Sequence, residues 1–275
     1  MKTLLTSIFL ALICGCAASQ TPLLACLQPS DRIVAMAGCA TSAQPVEDAD
    51  PVVNVAKQAQ IPGNVILYVG NKDDAGIVQR YPLMLAEAKK YPGKFTHVYL
   101  IDEMFWCNTG VCIGRYEQEV IDAAKLAHDS GFKTVCTFLP DVILDPRFSL
   151  QNVNMCDGIS IDVYPGIRPT TPNLNGCSSG LNYLGDLLLC SIRKLRSMGF
   201  VGDTGYIYQA FGFIDRPVQP QIDDMLQQRL VIDNAAAMGV KYMMPYGLYL
   251  GAPELSREPI LYPLGGTPYE YLVRP

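Results

Sequence analysis

Seven short runs rich in Val, Ile, Leu, Tyr and Phe recur along the 275-residue chain, at 32–37, 64–70, 95–105, 134–139, 158–164, 205–213 and 242–250. They lack the strict alternation of a half-exposed sheet. Strands apolar on both faces mark a parallel sheet covered by helices. Three of the intervening segments read as helices. Residues 116–128 repeat Tyr116, Val120, Ala124 and Ala127 at helical spacing and stop before Gly131. Residues 181–198 place Arg193, Lys194 and Arg196 in their last turns before Gly199, and 221–238 close at Gly239. Cations in the last turn and a glycine beyond it are C-terminal signals. Strands alternating with helices predict one parallel α/β domain over residues 31–275.

An open doubly wound sheet and a (β/α)8 barrel both satisfy this alternation. No glycine-rich dinucleotide loop follows the first run. The loops after the runs are long and rich in aromatic and acidic residues, as at the catalytic face of a barrel. The expected fold is therefore an α/β, TIM-like (β/α)8 barrel. It is incomplete or irregular, because seven runs are found rather than eight.

The N-terminus adds a location. Lys2 precedes an apolar run at 4–13, short of the roughly 20 residues that span a bilayer, which reads as a secretory signal. At its end stands Ile13-Cys14-Gly15-Cys16, which resembles the lipobox of bacterial lipoproteins. The resemblance implies a signal peptide at 1–15, acylation of Cys16, a tether at 16–30, and membrane attachment through the N-terminal lipid only. Ala17 implies the outer membrane, by resemblance to sorting in enteric bacteria. Cleavage near Ala18 or Ser19, as in an ordinary signal, would give a secreted protein instead.

Cysteine usage agrees with export. Ten cysteines less Cys14 and Cys16 leave eight, which fall as Cys26 and Cys39, Cys107 and Cys112, Cys136 and Cys156, Cys177 and Cys190. Pairing neighbours predicts four short-range disulfides. Cys107 and Cys112 make the strongest case, because Asn108-Thr109-Gly110 supplies a turn between them. A zinc site is the competing reading, but no two cysteines have the spacing of a zinc knuckle and only His97 and His128 could assist. No metal and no other cofactor is expected. With 21 basic against 26 acidic residues and no basic run, nucleic acid is excluded as the main partner. A polysaccharide or oligosaccharide fits this charge.

Two segments carry candidate chemistry. Asp102 and Glu103 end the apolar run 95–105, where catalytic residues of a barrel collect, and Trp106 follows as a stacking surface for a sugar ring. The alternative is helix capping by the two carboxylates. In 158–164, period two places Ser160, Asp162 and Tyr164 on one face and Ile159, Ile161 and Val163 on the other. That polar face suits a barrel lumen, or else a structural aspartate bonded to neighbouring strands.

These segments resemble TIM-barrel glycoside hydrolases, in many of which an acid/base Glu ends the fourth strand, Tyr-Pro ends a strand near the sixth, and a second Glu ends the seventh. With one early strand unseen, Glu103 matches the acid/base position and Asp162-Val163-Tyr164-Pro165 the sixth strand. The resemblance implies a glycoside hydrolase with Glu103 as general acid. It departs at the seventh strand, where Gln209 stands in place of the nucleophilic Glu. Two mechanisms restore the chemistry. The Asp102-Glu103 pair resembles that of substrate-assisted N-acetylhexosaminidases, with Gln209, Tyr164 or Tyr208 binding the acetamido oxygen. Alternatively Asp162 is the second carboxylate, at about 5 Å from Glu103 for retention or about 6.5–9.5 Å for inversion.

Tyr68, Tyr246 and Asn71 complete the expected sugar-binding residues. Asp73, Asp74, Asp141, Asp215, Glu254 and Tyr249 are lesser candidates, and His97 reads as a core histidine. A Ser-His-Asp hydrolase is not expected, because neither histidine of the chain, His97 or His128, sits in a plausible loop. Two further readings accompany the hydrolase: a non-catalytic glycan-binding barrel, suggested by Gln209, and a structural envelope lipoprotein on the same fold.

Overall fold

A computed structural model describes residues 34–35, 50–60, 65–69, 77–107, 110–114, 117–165, 176–209, 211–213, 218–246 and 261–263. In chain order the elements are β1 (Val34–Ala35), α1 (Pro51–Ala59), β2 (Val65–Tyr68), α2 (Ile77–Ala88), β3 (Phe95–Ile101), β4 (Trp106–Cys107) and β5 (Gly110–Val111). They continue as α3 (Glu117–Asp129), β6 (Lys133–Phe138), α4 (Pro140–Leu144), β7 (Gly158–Val163), α5 (Tyr183–Ser197), β8 (Asp203–Gln209), β9 (Phe211–Phe213), α6 (Val218–Asn234), β10 (Val240–Tyr246) and β11 (Leu261–Pro263). Strands β1, β2, β3, β6, β7, β8 and β10 pair in that order, every pair parallel. The two ends of the sheet, β1 and β10, come within 8 Å of each other between Cα atoms, so the sheet curls into an incomplete TIM-like barrel.

Each apolar run overlaps one of these seven strands. Two runs extend well past their strands into other described structure. The run at 95–105 stops being strand at Ile101, and 205–213 divides into β8 and the separate β9, which pairs antiparallel with β11. The strand of Glu103 is the third of the sheet, with no additional early strand among the described residues. Helices α3 and α5 lie within a residue or two of their expected spans. Asn182 caps α5 by accepting the Gly185 N–H at 3.0 Å, while Asp186 opens the helix and Lys194 and Arg196 close it. Those charges complement the helix dipole.

Strand periodicity sorts the core into two layers. Val65, Leu67, Val98, Leu100, Ile159, Ile161, Val163, Tyr206 and Met243 belong to a large outer cluster shared with the helices. Ile66, Tyr99, Val135, Tyr164, Ile207, Tyr242 and Met244 form a second cluster inside the curl, the lumen. Its floor is closed by Tyr242. The ring lies against Gly205 so tightly that any Cβ there would collide with it, and a Cβ at Gly158 would sit 2.8 Å from the Tyr242 hydroxyl. Glycine is needed at both positions for the close approach of an aromatic ring.

Disulfides join Cys107 to Cys112, Cys136 to Cys156 and Cys177 to Cys190, each between sequence neighbours as expected. Cys26, Cys39, the signal segment, the tether and Cys16 lie outside the described residues. No helix among the described residues is long and apolar enough to cross a membrane.

Candidate active site

The site is built where β3 and β7 end. After Ile101 the chain turns sharply, with Glu103 at φ 42° and Phe105 at φ 66°, both left-handed and unfavourable for residues with a Cβ. Such conformations cost on the order of 1–3 kcal/mol each. Burial offsets that cost: Met104 and Phe105 are both buried in the outer cluster, each contributing about 2–3 kcal/mol. Main-chain bonds then hold the turn, from Met104 N–H to Thr137 O at 2.9 Å, Trp106 N–H to Glu103 O at 3.0 Å and Cys112 N–H to Phe105 O at 2.8 Å. Asp102 and Glu103 are left half-buried at the rim. The next helix, α3, begins only at Glu117, so the two carboxylates cap no helix.

Asp162 lies on the lumen face of β7 with Ser160 and Tyr164, as period two required. Ser160 Oγ is 3.5 Å from the Tyr242 hydroxyl and 3.4 Å from Met244 Sδ. The Asp162 side chain is almost wholly buried, at 3% exposure. Burial pushes its carboxyl well above the ordinary range, and the negative charges of Asp102 and Glu103 push it further. A hydrogen bond from Tyr164 acts the other way without offsetting them. Asp162 Oδ1 has no hydrogen-bond partner among the described residues. A buried acceptor or acid left unbonded costs about 1–3 kcal/mol, so it asks for a ligand.

Tyr99, also wholly buried, donates its hydroxyl to Asp102 Oδ1 at 2.7 Å. Burial and then the Asp102 charge hold its proton far above the usual phenol range. The Tyr99 ring packs 5.6 Å from that of Tyr68, which ends β2. Tyr68 and Gln209 are positioned alike, by buried glutamines from the helix layer. The Gln58 side chain donates to Tyr68 O at 2.7 Å and accepts from Tyr68 N–H at 3.0 Å. The Gln228 side chain does the same for Gln209, at 2.6 and 2.9 Å. Gln209 is buried and shares the strand face of Ile207, a lumen residue. Tyr246 ends β10 in register with Gln209.

Two expected residues are not brought here. Tyr208, one residue from Gln209, takes the opposite face and packs against Tyr206 in the outer cluster, with ring centroids 5.6 Å apart. Trp106 packs against the outer cluster and lines a different cleft. The β4–β5 hairpin, closed by Cys107–Cys112, turns the indole away from the lumen cluster. Asn71, Asp73, Asp74, Asp215, Tyr249 and Glu254 lie outside the described residues. His97 is buried in β3 with Nδ1 2.9 Å from Thr96 Oγ1, and burial followed by the Lys133 charge lowers its proton affinity, as suits a core histidine. No group of three or more His, Cys, Asp and Glu among the described residues is arranged to hold a metal ion. Sequence reading overlooked Tyr99, Gln58 and Gln228. Tyr99 sits mid-strand in an apolar run, and the two glutamines sit within or beside helical segments. In neither place does a single sequence distinguish them.

No family model matches the chain, and no curated protein is similar to it in sequence. Solved structures of similar shape include a glucosidase from Croceicoccus marinus, 9% identical, with a TM-score of 0.49 over 82% of this chain and 53% of that one. This chain thus spans about half the glucosidase's length. An intracellular xylanase from Thermoanaerobacterium saccharolyticum is 12% identical, with a TM-score of 0.48 over 78% of each chain. The tryptophan synthase α-subunit of Pyrococcus furiosus is 11% identical, with a TM-score of 0.45 over 89% of this chain and 94% of that one. Likeness at this level carries no functional assignment, and function has to be argued from the site.

Proposed function

We propose that the chain is a glycoside hydrolase acting on an envelope or extracellular polysaccharide, with its reaction at the rim where β3 and β7 end. One observation carries the reading. Three carboxyl groups, Asp102, Glu103 and Asp162, feel one another's charge at the C-terminal end of a curled parallel sheet, and the deepest keeps a buried oxygen with no hydrogen-bond partner among the described residues. Cleaving a glycosidic bond needs one carboxyl to give a proton and an ionised one to stabilise the positive charge that develops.

The roles follow from environment. Glu103, half-buried at the rim on a left-handed backbone, is the general acid. Asp102 accepts the Tyr99 hydroxyl and serves as the ionised partner, steadying the cationic ring or orienting an acetamido group. Asp162 keeps its proton where an exposed aspartate is ionised, and so donates a hydrogen bond to a sugar hydroxyl rather than acting as a nucleophile. Gln209 and Tyr68 border the same mouth. The lipobox resemblance and the three disulfides support an exported, lipid-anchored protein. Incorporation of a fatty-acid label that is lost in Cys16→Ser tests the anchor.

The hydrolase is tested on the oxidised soluble protein with a polysaccharide panel that includes N-acetylated glycans. Glu103→Gln is expected to lower turnover by about 10²–10⁴-fold with folding intact by circular dichroism. Asp162→Asn, which still donates a hydrogen bond, should lose far less than Asp162→Ala. Equal loss in Asp162→Asn and Glu103→Gln would transfer the acid role to Asp162. Glycan binding without turnover, unaffected by Glu103→Gln, would make the barrel a reader of sugars. A protein that neither binds nor cleaves any glycan of the panel would refute the assignment.

A further inference from the structure

A second cleft, of about 660 Å³, lies outside the lumen, between the β4–β5 hairpin, the segment following α4, and α5. None of Asp102, Glu103 and Asp162 lines it. Its size is within the usual range of ligand clefts, roughly 300–1,000 Å³. One wall carries the half-exposed indole of Trp106, and the other the α5 residues Cys190, Arg193, Lys194 and Ser197. Their spacing places them on one face of that helix. Both walls are cross-linked, the hairpin by Cys107–Cys112 and α5 to its preceding loop by Cys177–Cys190. A cleft stiff on both sides loses little freedom when a ligand enters.

The charges indicate the ligand. Asp145 in the wall is already neutralised by Arg147, whose Nε and Nη2 reach its two oxygens at 2.9 and 2.8 Å. Among the described residues, Arg193 bonds only a main-chain carbonyl, Gly176 O at 3.2 Å, and Lys194 has no side-chain partner. Among the described residues, these two cations face the cleft without a carboxylate partner, and Asp141 is the one remaining acid of its lining. An aromatic face beside cations suits a ring that has an apolar face and carries an anion.

We infer that this cleft binds a carboxylate-bearing pyranose, a uronate unit of an acidic polysaccharide, with the ring on Trp106 and the carboxylate on Arg193 and Lys194. The inference does not depend on whether the lumen cleaves anything. An accessory site on the flank would hold an acidic chain near the mouth and raise the local concentration of bonds to be cut.

Trp106 is the single tryptophan of the chain, so intrinsic fluorescence reads this cleft directly. The full oxidised protein is titrated with trigalacturonate, with its methyl ester and with a sulfated trisaccharide. A saturable fluorescence change is expected for the free acid, weakened about tenfold for the ester and in the variant Arg193→Gln/Lys194→Gln, and suppressed at about 0.5 M salt. The variant positions are exposed or half-exposed, so folding is retained; Arg193→Lys/Lys194→Arg, which keeps both charges, should restore binding. The proposal is overturned by an absent response, by an equal response to the ester, or by binding that survives the charge-removing variant. Tighter binding of the sulfated sugar would overturn the carboxylate assignment. A response abolished by Glu103→Gln but not by loss of the two cations would place the ligand in the lumen and also overturn it. Turnover is measured in parallel, so that failure here and failure of the hydrolase are told apart.

Discussion

Strand β7 has an aspartate at each end, and the two live in opposite conditions. Asp157, just before the strand, is satisfied: its Oδ2 lies 2.8 Å from His128 Nε2, accepts the Thr134 N–H at 2.8 Å and sits 3.0 Å from the Thr134 hydroxyl. Burial alone would push its carboxyl up, but the His128 contact and the Thr134 bonds hold it below the ordinary range. Asp162, five residues on, is buried with one oxygen unbonded among the described residues, and its carboxyl is driven well above that range. One aspartate fastens the N-terminal floor of the sheet. The other lies at the C-terminal rim with an oxygen that no described residue bonds. A parallel barrel divides its labour in this way, with stability at one end and chemistry at the other.

The difference can be broken at the floor first. Gly205→Ala drives a methyl group into the Tyr242 ring, and overpacking of this kind costs about 3 kcal/mol or more. Denaturant unfolding should show that loss, while turnover per folded molecule falls much less than in Glu103→Gln. A smaller loss would mean that Tyr242 can swing away and the floor is soft.

The two aspartates should then give opposite pH slopes. A depressed carboxyl stabilises the fold above the ordinary carboxylate range and loses that contribution as pH falls. Asp157→Ala is expected to cost about 1–2 kcal/mol at neutral pH, allowing for its partial exposure, and to flatten the acid limb of stability. A raised carboxyl acts in reverse: the unfolded chain gives up its proton first, so stability declines as pH climbs above the ordinary value. Asp162→Asn should therefore gain on the wild type as pH rises from about 4 to 8, by thermal melting. Parallel curves for the wild type and Asp162→Asn would show that Asp162 ionises in the fold, which would remove its role as a hydrogen-bond donor.

Much of this was legible in the chain. Each of the seven parallel strands overlaps one of the apolar runs, because strands buried on both faces are mostly apolar. The polar face of 158–164 was legible for a related reason. Three polar residues at period two on a buried strand can only face a lumen or a neighbour's polar groups. Trp106 and Tyr208 were misplaced by the same kind of reasoning carried too far. Proximity in sequence to Glu103 or Gln209 does not fix the direction of a side chain, since one residue of offset reverses the face and a left-handed turn redirects the chain.

The sequence by itself determined the layered α/β architecture, the three local disulfides that the structure contains and the common face of Ser160, Asp162 and Tyr164. Each is a matter of period or short separation, which local physics enforces. Only the tertiary structure decided that Asp102, Glu103 and Asp162 share one field, that Tyr99 serves Asp102, and that Gln58 and Gln228 clamp the ends of β2 and β8. It also separated the Trp106 cleft from the lumen. Those relations join residues tens of positions apart, and their energies come from burial, which has no meaning until the sheet has curled.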